Sequence, residues 1–157
     1  MNKIDQINTT ITKWKERITW DEYFMSLAYL ASSRSPCHRL HVGCILVKDK
    51  RVISMGYNGF LPNAEHISRI RDNHEQSIIH SEQNAVTDCA KRGVSCKKST
   101  VYVTHYPCII CARILASCEV DKIYYYQDYK NDSLVKELLE DAHIKIEKLF
   151  STASTTS

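Results

Sequence analysis

Glycine is scarce in this sequence. The 157 residues contain four, each isolated from the others. No glycine-rich turn of the kind that cradles phosphates or a dinucleotide can be drawn, which excludes the usual motifs of nucleoside-triphosphate hydrolases and dinucleotide enzymes. Long hydrophobic runs are also missing: none approaches the ~20 apolar residues that carry a helix across a bilayer, so no membrane partner is expected. Charge of one sign hardly accumulates. The 21 Lys and Arg exceed the 18 Asp and Glu by a net +3, and no basic block stands out. A nucleic-acid partner is therefore not indicated, whereas a small anionic ligand needs only two or three well-placed basic groups. There is no internal repeat. The first twelve residues lack the apolar core of a secretory leader, and a cytoplasmic protein is expected.

Cysteine is what the chain has in excess. Seven thiols, an odd number, in a protein expected in a reducing compartment read as metal ligands before disulfides. Cys44, Cys89, Cys96 and Cys118 read instead as buried structural thiols. With 43% apolar and 25% charged residues, the length suits one domain around one core.

The pattern predicts a loosely held arm over residues 1–18, a folded domain over 19–150 and a disordered Ser/Thr-rich tail over 151–157. Thr19-Trp20-Asp21-Glu22 is a capping box, and apolar residues at helical spacing follow to about Ser33. A strand over 42–48, a turn at Asp49-Lys50 and a return strand over 51–56 form a hairpin. Residues 57–79 show no sustained period and read as a long loop that has room for a short helical piece. A helix over 80–92 stops at Gly93. A strand over 100–104, a helix from Pro107 to about Ser117, a strand over 121–126, a helix over 133–141 and a strand over 144–149 complete the chain. Helices alternate with strands, so the class is α/β with a sheet covered on both faces.

Two short motifs carry chemistry. His80-Ser81-Glu82 opens one predicted helix, and Cys108-Ile109-Ile110-Cys111, preceded by Pro107, opens another. Cysteines three apart on a first turn point both sulfurs at one spot, where the helix N-terminus favours thiolate. His80 supplies a third ligand. Three protein ligands leave the fourth tetrahedral position to water, as a catalytic zinc requires. Glu82 lies close enough to act on that water without ligating the metal. A lone C-x-x-C leaves open a redox pair or a structural zinc half-site, and a lone H-x-E says almost nothing. The combination is more specific.

H-x-E followed by P-C-x-x-C resembles the signature of the zinc nucleobase deaminases. From about Thr19 to Leu149 the chain resembles the deoxycytidylate deaminases of bacteria and phages, the competence-operon type included. The resemblance is carried by residues 35–43 (S-P-C-H-R-L-H-V-G), 56–59 (G-Y-N-G), 80–85 (H-S-E-Q-N-A), 103–111 (V-T-H-Y-P-C-I-I-C) and 127–130 (Q-D-Y-K). It implies a cytidine deaminase-like fold, a five-stranded mixed sheet with helices on both faces. It implies Zn2+ on His80, Cys108 and Cys111, with Glu82 moving protons while hydroxide attacks carbon 4 of the cytosine of dCMP or of dCTP. Substrate contacts would come from Asn58 to the sugar, from Ser81, from Arg34, Ser35 and Arg39 to the phosphate, and from Tyr129. A second, structural zinc on Cys37, His66 and His74, a homo-oligomer with a hexamer favoured, and control by dCTP and dTTP near the G-Y-N-G stretch are further implications. Ser81 stands where the family usually has Ala, and His38 and His41 are unusual in their stretch. The segment from Gly59 to His80 is shorter than in effector-responsive phage members, which bears on regulation. A tRNA-adenosine or free-base deaminase of the same fold, and a non-catalytic zinc-stabilised binding module, are the alternatives. Modest charge speaks against the first, and the presence of Glu82 against the second.

Overall fold

The structure is a computed structural model and is described over residues 1–150. The expected tail, 151–157, lies outside the described residues. The chain begins with α1 (Lys3–Ile11) and α2 (Trp20–Ser32), followed by the hairpin β1 (Gly43–Lys48) and β2 (Arg51–Tyr57). Four two-residue strands come next: β3 (Gly59–Phe60), β4 (Ile70–Arg71), β5 (His74–Glu75) and β6 (Ile78–Ile79). Then α3 (Ser81–Arg92), β7 (Thr100–His105), α4 (Ile109–Ser117), β8 (Lys122–Gln127), α5 (Ser133–Asp141) and β9 (Lys145–Lys148) alternate.

The central sheet has five strands in the order β2-β1-β7-β8-β9. The β2/β1 and β1/β7 pairs are antiparallel, and β7/β8 and β8/β9 are parallel. The hairpin turn places Asp49 and Lys50 at φ 50° and 58°, the left-handed pair that a two-residue connection between twisted strands requires. Each parallel step needs a crossover helix, which α4 and α5 supply.

Side chains along each strand alternate between two cores. Cys44, Leu46, Val101, Val103 and Ile123 face α3, α4 and α5, where Ala85, Cys89, Leu115, Val135 and Leu139 meet them. Ile45, Val47 and Tyr102 face the other way, onto Phe24, Met25 and Ala28 of α2. Leu46, Leu115, Ile123 and Leu139 are fully buried, each stabilising the fold by roughly 1.5–3 kcal/mol.

Two glycines set how closely helices approach the sheet. A Cβ at Gly43 would overlap the Ala28 carbonyl oxygen and press on Ser32 N at 2.8 Å, so α2 lies directly on β1. A Cβ at Gly56 would overlap the Ser81 carbonyl oxygen and sit 2.6 Å from Ala85 N. The first turn of α3, which carries His80 and Glu82, is thereby seated on β2.

One expectation is refined and two are corrected. The 1–18 arm contains a helix, α1, whose Asn2 side chain accepts from Asp5 N (2.9 Å) while Asp5 accepts from Asn2 N (3.2 Å); the helix buries none of its residues. Residues 57–79 hold no helix but two small antiparallel pairs, β3/β6 and β4/β5, because Asp72 and Asn73 at φ 50° and 61° make a tight turn. Pro107 precedes the N-cap of α4, which is Cys108.

Gly43→Ala is expected to destabilise the protein by about 1–3 kcal/mol, because helix backbone rather than a flexible side chain must give way. A denaturant midpoint equal to wild type would contradict the close seating of α2.

Candidate metal centre and active site

His80 is the N-cap of α3 and Cys108 the N-cap of α4. The Gln83 side chain accepts the His80 backbone N–H at 2.8 Å and fixes the first turn of α3. The His80 ring turns to the other helix, with Nδ1 3.4 Å from Cys108 Sγ and 3.4 Å from Cys111 Sγ. The three ligand atoms lie within 4.8 Å of one another, and no other such group of His, Cys, Asp and Glu occurs among the described residues. Around a tetrahedral zinc with bonds of about 2.3 Å to sulfur and 2.0 Å to nitrogen, these atoms stand about 3.5 Å apart. The donor set and its spacing fit that ion.

Burial is graded across the site: His80 is exposed, Cys108 half-buried, and Cys111 and Glu82 buried. Hydrogen bonds from Cys111 and His80 hold the Cys108 thiol down to about 4, a thiolate at neutral pH. The hydrogen bond to Cys108 raises the His80 pKa. Sharing with Cys108, and burial, push the Cys111 thiol up; a coordinated cation reverses that push by deprotonating the thiol. Burial raises Glu82 above the ordinary carboxylate range, against opposing pulls from His80 and Ser81. Ser81, fully buried, donates its hydroxyl to Glu82 Oε2 at 2.9 Å.

The other expected residues fall into three groups. Asn58 is buried, and its amide accepts from Val42 N and donates to Leu40 O, both at 2.8 Å. Ser35 donates to Asn58 O at 2.8 Å and accepts from Cys37 N at 3.2 Å. These two residues clamp the 35–42 loop to the end of β2. Arg39, on that loop, is exposed and its charge weakly opposes the rise at His80, while Arg34 is exposed at the loop's start. Tyr129 is half-buried, edge-on to His105 with ring centres 6.0 Å apart.

Cys37, His66 and His74 are not brought together as a ligand group. Cys37 is held beside Ser35, His66 stacks on Phe60 at 4.7 Å, and His74 pairs with Arg71 across β4/β5. Short strand pairs run through this segment. Cys44, Cys89 and Cys96 are buried in the core and Cys118 is half-buried against it. Burial raises all four thiols, Cys89 to about 11, so they are inert.

Two residues escaped the sequence reading. His105 is buried, with Nδ1 2.8 Å from Thr104 Oγ1, which in turn accepts from Gly43 N at 3.1 Å. Asn84 donates to Tyr57 O at 2.8 Å and ties α3 to the G-Y-N-G stretch. Both lie inside matched stretches, but their partners are distant in sequence.

A family model described as the cytidine and deoxycytidylate deaminase zinc-binding region matches residues 18–127. The chain belongs to this family. ComE operon protein 2 of Bacillus subtilis (strain 168) is 40% identical over 138 residues, covering 85% of this chain and 73% of that one. The deoxycytidylate deaminase of Saccharomyces cerevisiae is 31% identical over 149 residues, covering 87% of this chain and 46% of the yeast protein, so this chain spans about half the yeast length. The crystal structure of the dCMP deaminase from cyanophage S-TIM5, in complex with dCMP and dUMP, superimposes with a TM-score of 0.75 at 30% identity, over 85% of this chain and 99% of that one. The fold is thus the five-stranded mixed sheet of this deaminase family. No helix among the described residues is long and apolar enough to cross a membrane.

Cys108→Ser is expected to remove most of the zinc that copurifies with the wild-type protein, whereas Cys37→Ser and His74→Ala leave it in place. Metal analysis of the three variants checks this. Unchanged zinc in Cys108→Ser would overturn the ligand assignment.

Proposed function

We propose that the protein hydrolyses the exocyclic amine of dCMP, giving dUMP and ammonia and so supplying dUMP for thymidylate synthesis. One observation carries the reading: two helix N-termini bring a His and two Cys to metal-ligand spacing, with a buried carboxylate two residues beyond the His. The likeness to a phage dCMP deaminase holding dCMP and dUMP supports the choice of substrate.

His80, Cys108 and Cys111 would hold the zinc, which would supply Lewis acidity toward an attacking water near neutral pH. The proton traffic belongs to Glu82. Its carboxylate accepts a proton from the attacking water and delivers it to ring nitrogen 3 of cytosine, which prepares carbon 4 for attack. Once the oxygen has added to carbon 4, the carboxylate carries the second proton from that new hydroxyl to the amine, so that the carbon–nitrogen bond breaks as the carbon–oxygen double bond forms and ammonia leaves. Burial, which raises the Glu82 carboxyl, is in the direction that favours proton uptake. Arg39, whose charge reaches His80, meets the 5′-phosphate, with Arg34 at the start of the same loop; an Arg forks two hydrogen bonds onto a phosphate. Ser35 and Asn58 serve the phosphate and sugar by holding that loop, and Tyr129 packs on the nucleotide's side of His105.

The working unit is a homo-oligomer, favoured as a hexamer. The support is apolar surface left open: Ile110 on α4, Leu134 and Leu138 on α5, and Trp20 and Tyr23 on α2 are 36–55% exposed. Activation by dCTP and inhibition by dTTP near residues 56–59, turnover of dCTP itself, and a cytoplasmic location with every cysteine unpaired complete the proposal.

Glu82→Gln is expected to keep its zinc and lose at least about 10²-fold in kcat, the lower end for general acid–base catalysis. Near-wild-type turnover would remove Glu82 from the mechanism. Arg39→Ala is expected to raise KM for dCMP roughly tenfold or more while leaving the slow rate on deoxycytidine unchanged, as loss of a charge-assisted phosphate contact should. Equal effects on both substrates would sink the phosphate assignment. Rates with added dCTP or dTTP, and light scattering, check regulation and assembly separately.

A further inference from the structure

Ser81 lies between a metal ligand and the proton-shuttling carboxylate, and its side chain is fully buried. Its backbone has little freedom. The carbonyl is pressed against Gly56, where no Cβ fits, and the preceding N–H is held by Gln83. The hydroxyl donates to Glu82 Oε2 at 2.9 Å; the Glu82 backbone N–H also bonds its carboxylate, and no other side chain donates to it among the described residues.

This contact matters because of how a glutamate ends. The last torsion of Glu is broad and roughly two-fold, so an unheld carboxylate presents either oxygen, at a range of angles, to whatever lies in front of it. A residue that moves two protons in succession needs one oxygen to face the water, the ring nitrogen and the amine in turn, within hydrogen-bond reach of each. We propose that Ser81 is a positioning residue for this shuttle: by holding Oε2 it assigns the proton traffic to Oε1. While Oε2 accepts the Ser81 hydroxyl hydrogen, a proton taken up by the carboxyl resides on Oε1, the atom it must later leave from. The inference rests on the reading of Glu82 as the shuttle, and it moves Ser81 from the expected role of substrate contact to one exerted through Glu82. Its hydroxyl is spent on the carboxylate and has no exposed surface to offer a ligand.

The test compares Ser81→Ala, Ser81→Thr and Glu82→Gln, each purified with its metal. For each, kcat and KM on dCMP, zinc content and melting temperature are measured. Ser81→Ala removes one oxygen from a packed site and adds nothing. It is expected to lose about tenfold in kcat, the usual weight of one hydrogen bond to a charged group, with KM, zinc content and melting temperature close to wild type. Ser81→Thr keeps the hydroxyl and should recover kcat to within about twofold. The proposal is overturned if Ser81→Ala keeps wild-type kcat while Glu82→Gln is inactive. It is overturned equally if KM rises with kcat unchanged, which would make Ser81 a substrate contact, or if zinc content or melting temperature falls in step with kcat, which would make its role structural. An active Glu82→Gln enzyme would instead refute the shuttle on which the inference rests.

Discussion

Two helices begin at the same point of this fold, and the rest of the site depends on that meeting. The N-termini of α3 and α4 each carry partial positive charge from unpaired backbone N–H groups. Left alone, two such ends facing one another would be unfavourable. Here the N-cap side chains His80 and Cys108, with Cys111 one turn further, stand between them at 3.4 Å separations. The thiolate at Cys108 is the natural complement to a helix N-terminus, and hydrogen bonds from its two neighbours lower its pKa to about 4. A divalent cation completes the arrangement by drawing the second sulfur into thiolate form.

The scaffold makes the meeting reproducible. α4 is the crossover between parallel β7 and β8, so its N-terminus lies at the end of β7. α3 is seated on β2 where Gly56 leaves no side chain, and Asn84 ties it to Tyr57. On the open side, Asn58 and Ser35 fasten the loop that carries Arg39. Glu82 and Cys111 are thereby buried while His80 stays exposed, within reach of the Arg39 charge.

Much of this was legible in the sequence because the signals were local. The box Thr19-x-x-Glu22, the apolar run of β1, Gly93 at φ 67°, and Asp132 capping α5 each act within a few residues, and each element formed where expected. The spacing H-x-E and C-x-x-C is local too, although its convergence needed the whole sheet. What was not legible depended on partners far away in sequence. The bonds from the Asn58 amide to Leu40 and Val42 are of this kind. So are the separate surroundings of Cys37 beside Ser35, His66 on Phe60 and His74 in the β4/β5 pair. The helix α1 was the exception: its box Asn2-x-x-Asp5 is as local as that of α2, and was obscured by the absence of a buried face.

One His nitrogen and two Cys sulfurs from two helix N-termini stand at metal-ligand spacing, which leaves one position of a tetrahedral zinc open. X-ray absorption at the zinc edge of the purified protein reads that shell. Two sulfur neighbours at about 2.3 Å with one imidazole nitrogen and one further light atom at about 2.0 Å are expected. A shell of four protein ligands, whether three or four sulfurs or two imidazoles with two sulfurs, would make the zinc structural and overturn the open position.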